Sequence, residues 1–331
     1  MKCECGGVLE INNEYTKSFS ELLDERRLDT KRYLNFIPIK KKYFPDLTPP
    51  VTPCISKRID NVDVFFKLEY LMPSGSFKDR GSYVTVAKLK EEGIREVSLD
   101  SSGNAAISLA LYGKSEGIKT HIFIPKHISE SKKKILKSIG HEVYEVSGSR
   151  MKVHEKAQGF ERAQYVSHWF NPFFTEGTKI SAYEIGERVD QVVVPTGSGT
   201  LFYGMYKGFK ELNDFGVIEE VPTMISVEAK GYESLKERSD SRSELAEGIE
   251  IVDPPRKSLM EEALDFTGGF SVSVDDEEII QAKSELASMG FLVEPTSATA
   301  YAAFNGLLKE DKIEKNEKVL IPLTGSGLKY F

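Results

Sequence analysis

Short β-branched and aromatic runs recur along the chain, each followed by a stretch with helical spacing of its apolar positions. DVFFKL (63–68), EVSLD (96–100), THIFIP (120–125) and HEVYEV (141–146) read as strands. QVVVP (191–195), TMISVEA (223–229), FSVSV (270–274) and KVLIPL (318–323) continue the series. Amphipathic segments lie between them, among them Asn104 to Ser115 and Ser129 to Ile139. After FSVSV, Asp275 and Glu278 fit the N-cap and N3 positions of a capping box, and Gly290 fits the stop. Strands alternating with helices of this length predict βαβ units and parallel sheets, an α/β fold. The polar stretch from Lys236 to Pro255 reads as a surface excursion.

In parallel sheets, ligands sit beyond the carboxyl ends of strands, where a loop meets a helix N-terminus. Three strand ends here are rich in Gly and Ser: Ser101 to Asn104, Pro195 to Thr200, and Pro322 to Gly327. Three such loops in one chain point to a single ligand gripped from several sides.

The loop at 195–200 precedes a helical pattern from Leu201. Its glycines let backbone N–H groups converge, and the helix terminus adds partial positive charge, which suits a phosphate. It is not a nucleotide P-loop, because Met205 and Tyr206 stand where Lys and Ser or Thr are needed. The run Pro73-Ser74-Gly75-Ser76-Phe77-Lys78-Asp79-Arg80-Gly81 delivers a lysine to the start of a helix from about Asp79 to Glu92. The field at that position favours a neutral amine, the form a Schiff base requires. The plain alternative is a solvated Lys-Asp-Arg cluster. Asn104 is placed to cap a helix or to donate its amide to a ligand oxygen. Thr324 ends a buried strand, where its hydroxyl bonds a ring nitrogen or caps a turn. A Schiff-base lysine, a phosphate cradle, an amide donor and a hydroxyl for a ring nitrogen are together what a protein supplies to pyridoxal 5'-phosphate.

These motifs resemble the tryptophan-synthase-β group of pyridoxal-phosphate enzymes (fold type II), and within it the threonine synthases. The likeness runs from about Pro49 to Lys329. PSGSFKDRG is similar to the lysine motif of that family, which makes Lys78 the cofactor-bearing lysine. SSGN implies that Asn104 lies beside the pyridine 3-oxygen, and TGSGT places Gly197, Ser198, Gly199 and Thr200 around the cofactor phosphate. EPTSATAYAA (294–303) resembles the family's EPxSAA helix start, and LTGSGLK resembles an ending whose Thr faces the pyridine nitrogen, here Thr324. The resemblance implies a two-lobed α/β fold, with parallel-rich sheets flanked by helices and the cofactor in the interdomain cleft. Residues 60–170 would form the smaller domain, and 1–59 with 171–331 the larger.

The implied activity is a carbon–oxygen lyase that converts O-phospho-L-homoserine and water to L-threonine and phosphate. Lys78 is its acid/base, and a neutral Thr324 leaves the ring nitrogen unprotonated. Ser74, Ser101 and Ser102 are the expected binders of the substrate carboxylate. The pattern departs from the family at three places. Phe174, in NPFFTEGTK (171–179), stands where many threonine synthases carry a phosphate-binding Arg, which leaves Arg80 or Lys179 to substitute. TGSGT is closer to the GTGGT of cysteine synthases, and Ser326 replaces the His of TGHG. These departures keep β-replacement (a cysteine or cysteate synthase) and serine/threonine ammonia-lyase as alternatives. A nicotinamide oxidoreductase would need a GxGxxG after a strand, and the chain has none.

The chain has 331 residues and a formal net charge of -7. It carries no basic footprint for nucleic acid, no apolar run long enough to span a membrane, and no signal-like start. Three cysteines give no disulfide framework. Cys3 and Cys5 resemble half of a zinc ribbon, and with Cys54 they fall short of four ligands, so no metal is expected. His121, His127, His141, His154 and His168 show no metal spacing, and Lys132, Lys133, Lys134 and Lys137 read as a solvated helix face. The expectation is a cytoplasmic enzyme of a small amino-acid substrate, a homodimer by family resemblance.

Overall fold

The computed structural model describes residues 7–101, 103–126, 128, 130–139, 142–186 and 188–330. Cys3, Cys5, Ser102, His127 and His141 lie outside the described residues. The strands are β1 (Cys54–Ile59), β2 (Val62–Lys67), β3 (Glu96–Leu99), β4 (Lys119–Pro125), β5 (Glu142–Val146), β6 (Gln164–Tyr165), β7 (Gln191–Pro195), β8 (Thr223–Ala229), β9 (Phe270–Val274) and β10 (Lys318–Pro322). The helices are α1 (Phe19–Leu22), α2 (Lys78–Glu91), α3 (Asn104–Ser115), α4 (Glu130–Ser138), α5 (Arg150–Gln158) and α6 (Pro172–Thr178). They continue with α7 (Ile180–Tyr183), α8 (Thr200–Asp214), α9 (Lys257–Thr267), α10 (Asp276–Ser288) and α11 (Pro295–Lys309). The fold is α/β, as the alternating pattern predicts.

The chain divides into two compact units. The first comprises residues 1–50, 72–177 and 329–331. Its sheet has the order β5-β4-β3-β6, and every pairing in it is parallel. Ile122, Phe123 and Ile124 of β4 are buried in one continuous apolar run, the signature of a strand covered on both faces, and Val97 and Leu99 of β3 are buried beside it. Phe123, Val153 and Ala157 form a small core with Tyr144, Phe160 and Tyr165 packed against it.

The second unit comprises residues 51–71 and 178–328. Its sheet has the order β1-β2-β10-β7-β8-β9, antiparallel at β1/β2 and parallel elsewhere. Asp60 and Asn61 join β1 to β2 with positive φ values of 47° and 68°, the backbone a two-residue hairpin turn demands. The core gathers Val64, Phe66, Val193, Ile225 and Ile321 from the sheet with Ala298, Ala302 and Phe304 of α11. At α10, Asp275 accepts from the Glu278 N–H and Glu278 accepts from the Asp275 N–H, the expected capping box. Among the described residues no helix is long and apolar enough to cross a membrane.

Candidate active site

In the first unit, the Pro73–Gly81 run makes a tight turn that opens α2. Gly75 has a φ of 76° and donates its N–H to Met72 O at 2.7 Å. Lys78 is the first residue of the helix. Its ammonium lies 4.6 Å from the Phe77 ring centroid and 5.6 Å from that of Phe174. Asp79 is fully buried and gathers the turn: its carboxylate accepts from the Ser74 N–H at 2.7 Å and from the Ser74 hydroxyl. Burial raises the Asp79 carboxyl above the usual range, while the Ser74 hydrogen bonds act the other way.

The β3–α3 loop stands beside this turn. Gly103 occupies the N-cap position and Asn104 is the first helical residue, so the Asn104 amide is not a cap. Asn104 Oδ1 instead accepts from the Lys329 ammonium, which also donates to Gly75 O at 2.9 Å. The Ser101 hydroxyl accepts from the Gly103 N–H at 3.4 Å. Arg80 is fully buried, and the α6 backbone presses on it: a Cβ at Gly177 would lie 2.1 Å from Arg80 O. Phe174 is buried against Gly81, where a Cβ would lie 2.3 Å from the ring. Here the aromatic side chain occupies space that leaves no room for more than glycine on α2.

In the second unit, the buried strand β7 runs into the 195–200 loop. Thr196 donates its N–H to Val227 O at 2.7 Å and its hydroxyl to Val194 O at 2.9 Å, anchoring the loop to β8 and to its own strand. A Cβ at Gly197 would lie 2.8 Å from Ile249 Cα. Gly199 caps α8 with a φ of 77°, and a Cβ there would lie 2.6 Å from Met260 Sδ. The loop is therefore a bare backbone cradle ending at the N–H groups of a fifteen-residue helix. The Ser198 and Thr200 hydroxyls lie 3.2 Å apart at its mouth. Lys179 is fully buried, and its ammonium donates to Glu211 at 3.0 Å, with the Tyr183 hydroxyl on the same carboxylate.

Thr324 follows β10. Its N–H donates to the Ser297 hydroxyl at 2.8 Å, while its own hydroxyl, buried, has no partner among the described residues. Gly325 is pinned by the N-cap residue of α11: a Cβ there would lie 2.1 Å from the Glu294 carboxylate. An orphaned hydroxyl in a buried position carries a desolvation cost that a ligand acceptor removes.

A family model described as "Pyridoxal-phosphate dependent enzyme" matches residues 48–325. The chain belongs to the pyridoxal-phosphate dependent enzymes. Within that family it is similar to the threonine synthase of Methanocaldococcus jannaschii, 32% identical over 99% of this chain and 88% of that one. The threonine synthase of Halalkalibacterium halodurans is 31% identical over 90% of this chain and 88% of that one. Among solved structures, maize serine racemase superposes with a TM-score of 0.73, 23% identity, and coverage of 84% and 89%. Threonine deaminase isoform 2 of Solanum lycopersicum superposes with a TM-score of 0.75, 19% identity, and coverage of 96% and 94%. These two structures share the fold. The chain is a threonine-synthase-like, pyridoxal-phosphate-dependent lyase.

The residues present fit the family's cofactor: the glycine cradle at 197–199 suits its phosphate, and the partnerless Thr324 hydroxyl suits an uncharged ring nitrogen. The sequence reading missed the Lys329 clamp on Asn104. The LTGSGLK motif carried that lysine, but nothing in its spacing pointed to an asparagine 225 positions away.

Proposed function

We propose that this protein is a threonine synthase, converting O-phospho-L-homoserine and water to L-threonine and phosphate. Its similarity to threonine synthases along almost the whole chain carries this reading. When bound, pyridoxal phosphate supplies an electron sink for charge developing at the substrate carbons. Gly197, Ser198, Gly199 and Thr200 hold its phosphate through backbone N–H groups and the two hydroxyls. Asn104 offers its amide hydrogens to the ring 3-oxygen, because Lys329 engages the amide oxygen. Thr324 meets the ring nitrogen without adding a proton to it, which suits elimination better than transamination.

Lys78 carries the cofactor and then moves protons at the substrate carbons, a task for one neutral amine within reach of neighbouring atoms. Ser74 and the loop from Ser101 to Asn104 orient the substrate carboxylate. Arg80 and Lys179 were the cations expected to answer for the Arg missing at Phe174. This reading leaves Lys179 to its buried ion pair with Glu211.

The β-replacement and ammonia-lyase readings stand second, favoured by Phe174, by the TGSGT loop and by Ser326 in place of His. An assay of the released group (phosphate, acetate or ammonia) and of the amino-acid product separates them, comparing O-phosphohomoserine with O-phosphoserine, O-acetylserine, serine and threonine, with and without sulfide. Threonine and phosphate from O-phosphohomoserine are expected; activity on three-carbon substrates only would overturn the reading. Lys78→Ala is expected to lose the visible absorbance of the bound cofactor. The enzyme is proposed to act in the cytoplasm as a homodimer, which sedimentation of the purified protein checks.

A further inference from the structure

The first unit holds a half-open cavity of about 310 Å³. Leu99, Leu109, Trp169, Phe170 and Phe174 make much of its wall. Phe174 is also the ring whose centroid lies 5.6 Å from Lys78 Nζ, so the cavity and the end of the proton-handling lysine share one aromatic wall. Among the described residues that line it, none is Lys or Arg. An anion released into such a space meets no fixed positive charge, and unpaired charge in apolar surroundings is costly. Where no cation is built in, the chemical alternative is a proton.

One wall holds a group suited to give it. Asp100 follows β3, His154 lies in α5 and Tyr165 in β6, and all three line the cavity. His154 Nδ1 lies 3.1 Å from Asp100 Oδ2, and the Tyr165 hydroxyl donates to Asp100 Oδ1 at 2.5 Å while lying 3.2 Å from the same imidazole nitrogen. An ionised carboxylate only accepts, so Nδ1 carries a hydrogen toward Asp100 and Nε2 is left for another partner. Three elements thus fix one imidazole. A second observation points to a ligand in the same space: Ser82 lines the cavity, is fully buried, and its hydroxyl has no partner among the described residues.

We propose that His154, positioned by Asp100 and Tyr165, protonates the leaving group of the substrate, with Ser82 hydrogen-bonded to that group. This rests on the threonine-synthase reading. In the elimination, Lys78 takes the Cβ proton and the electron pair of that bond forms the Cβ–Cγ double bond. The Cγ–O bond breaks, and its electron pair stays on oxygen and takes the proton from His154 Nε2. In the hydration, Lys78 returns its proton to Cγ, water supplies hydroxide to Cβ, and the second hydrogen of that water restores His154. Atoms and protons balance, and the site returns to its starting state.

The test compares holoenzyme of wild type, His154→Gln and Asp100→Asn. Phosphate release from O-phosphohomoserine is expected to fall about 100-fold in His154→Gln, the scale of a lost general acid, and about 10-fold in Asp100→Asn. Exchange of the α-proton of L-2-aminobutyrate into heavy water, which involves no leaving group, is expected to stay within about twofold of wild type, with an unchanged cofactor spectrum. Release and exchange falling together would show a structural role and overturn the assignment, as would undiminished release. A loss in His168→Gln, with His154→Gln unaffected, would move the role to His168 and overturn it too. A wild type that exchanges the α-proton yet releases nothing from O-phospho- or O-acetyl-L-homoserine would overturn the threonine-synthase reading and this assignment together.

Discussion

Lys329 donates through one ammonium to the side-chain oxygen of Asn104 and to the backbone oxygen of Gly75, tying the end of the chain to the β3–α3 loop and to the turn before Lys78. The bond to Asn104 engages the amide oxygen, so the amide is turned to act through its NH₂ group as a donor. A hydrogen bond from a charged donor contributes about 1.5–3 kcal/mol, and at this half-buried site water recovers part of that. Lys329→Met is therefore expected to weaken cofactor binding about 10-fold, with Lys329→Arg intermediate. Titration of the apoenzyme followed by visible absorbance measures it. Equal affinity in wild type and Lys329→Met would mean that Asn104 needs no such clamp.

The Thr324 hydroxyl has no partner among the described residues, so its value should depend on the ligand. Thr324→Val keeps the shape and removes the polar atom. The apo protein should keep its melting temperature or gain slightly, because an unsatisfied buried hydroxyl disappears. The rise in melting temperature on adding pyridoxal phosphate should shrink, since ligand stabilisation follows affinity for the folded state. If the apo protein is clearly destabilised by the change, the hydroxyl serves the fold and not the ligand.

Regular elements were the legible part of the chain. Runs such as QVVVP and KVLIPL name their own strands because a parallel sheet covered on both faces needs continuous apolar residues. The hairpin partner β1 escaped notice, since CISKRI is mostly exposed and polar. Its signal was the Asp60-Asn61 pair, two residues that tolerate positive φ between alternating segments. Residues 30–36 bury Tyr33, Leu34 and Phe36 in a 3₁₀ segment, where no helical or strand period exists to be read. The motif loops were visible because glycine and serine cluster there for backbone reasons. The Asp100–His154–Tyr165 group was not, because its members are 54 and 65 positions from Asp100 and only the β3–α5–β6 arrangement joins them.

The raised Asp79 carboxyl has a pH consequence with a definite sign. Burial is the larger cause, opposed by the Ser74 hydrogen bonds and the charge of Lys329. The folded chain holds this proton more tightly than the unfolded chain does. Asp79 therefore favours folding at acid pH, and that contribution is lost as pH rises from the ordinary carboxylate value, about 4, through the raised folded value. Asp79→Asn removes the titration. The stability of wild type relative to Asp79→Asn, from urea melts over that range, is expected to decline as pH rises. A difference that stays flat with pH would show that Asp79 titrates alike in both states.

Gly81 and Phe174 compete for one space, whereas Gly177 is confined by main chain, and the two glycines should respond differently to relief. A Cβ at Gly81 would meet the Phe174 ring at 2.3 Å, and one at Gly177 would meet the Arg80 carbonyl oxygen at 2.1 Å. Overpacking of this kind costs about 1–3 kcal/mol, so Gly81→Ala and Gly177→Ala should each destabilise by that order. Phe174→Ala should cost about 3 kcal/mol, the low end for a buried Phe, because its ring borders an existing cavity that already softens the site. The pairs then separate. Gly81→Ala combined with Phe174→Ala should be less damaging than the two costs added, because the truncated ring no longer opposes the new methyl. Gly177→Ala combined with Phe174→Ala should be additive, because shortening a side chain does not move the Arg80 carbonyl. Urea melts of the five variants decide it. Additivity in both pairs would mean that the ring already moves aside in Gly81→Ala, and that Phe174 is not what keeps residue 81 a glycine.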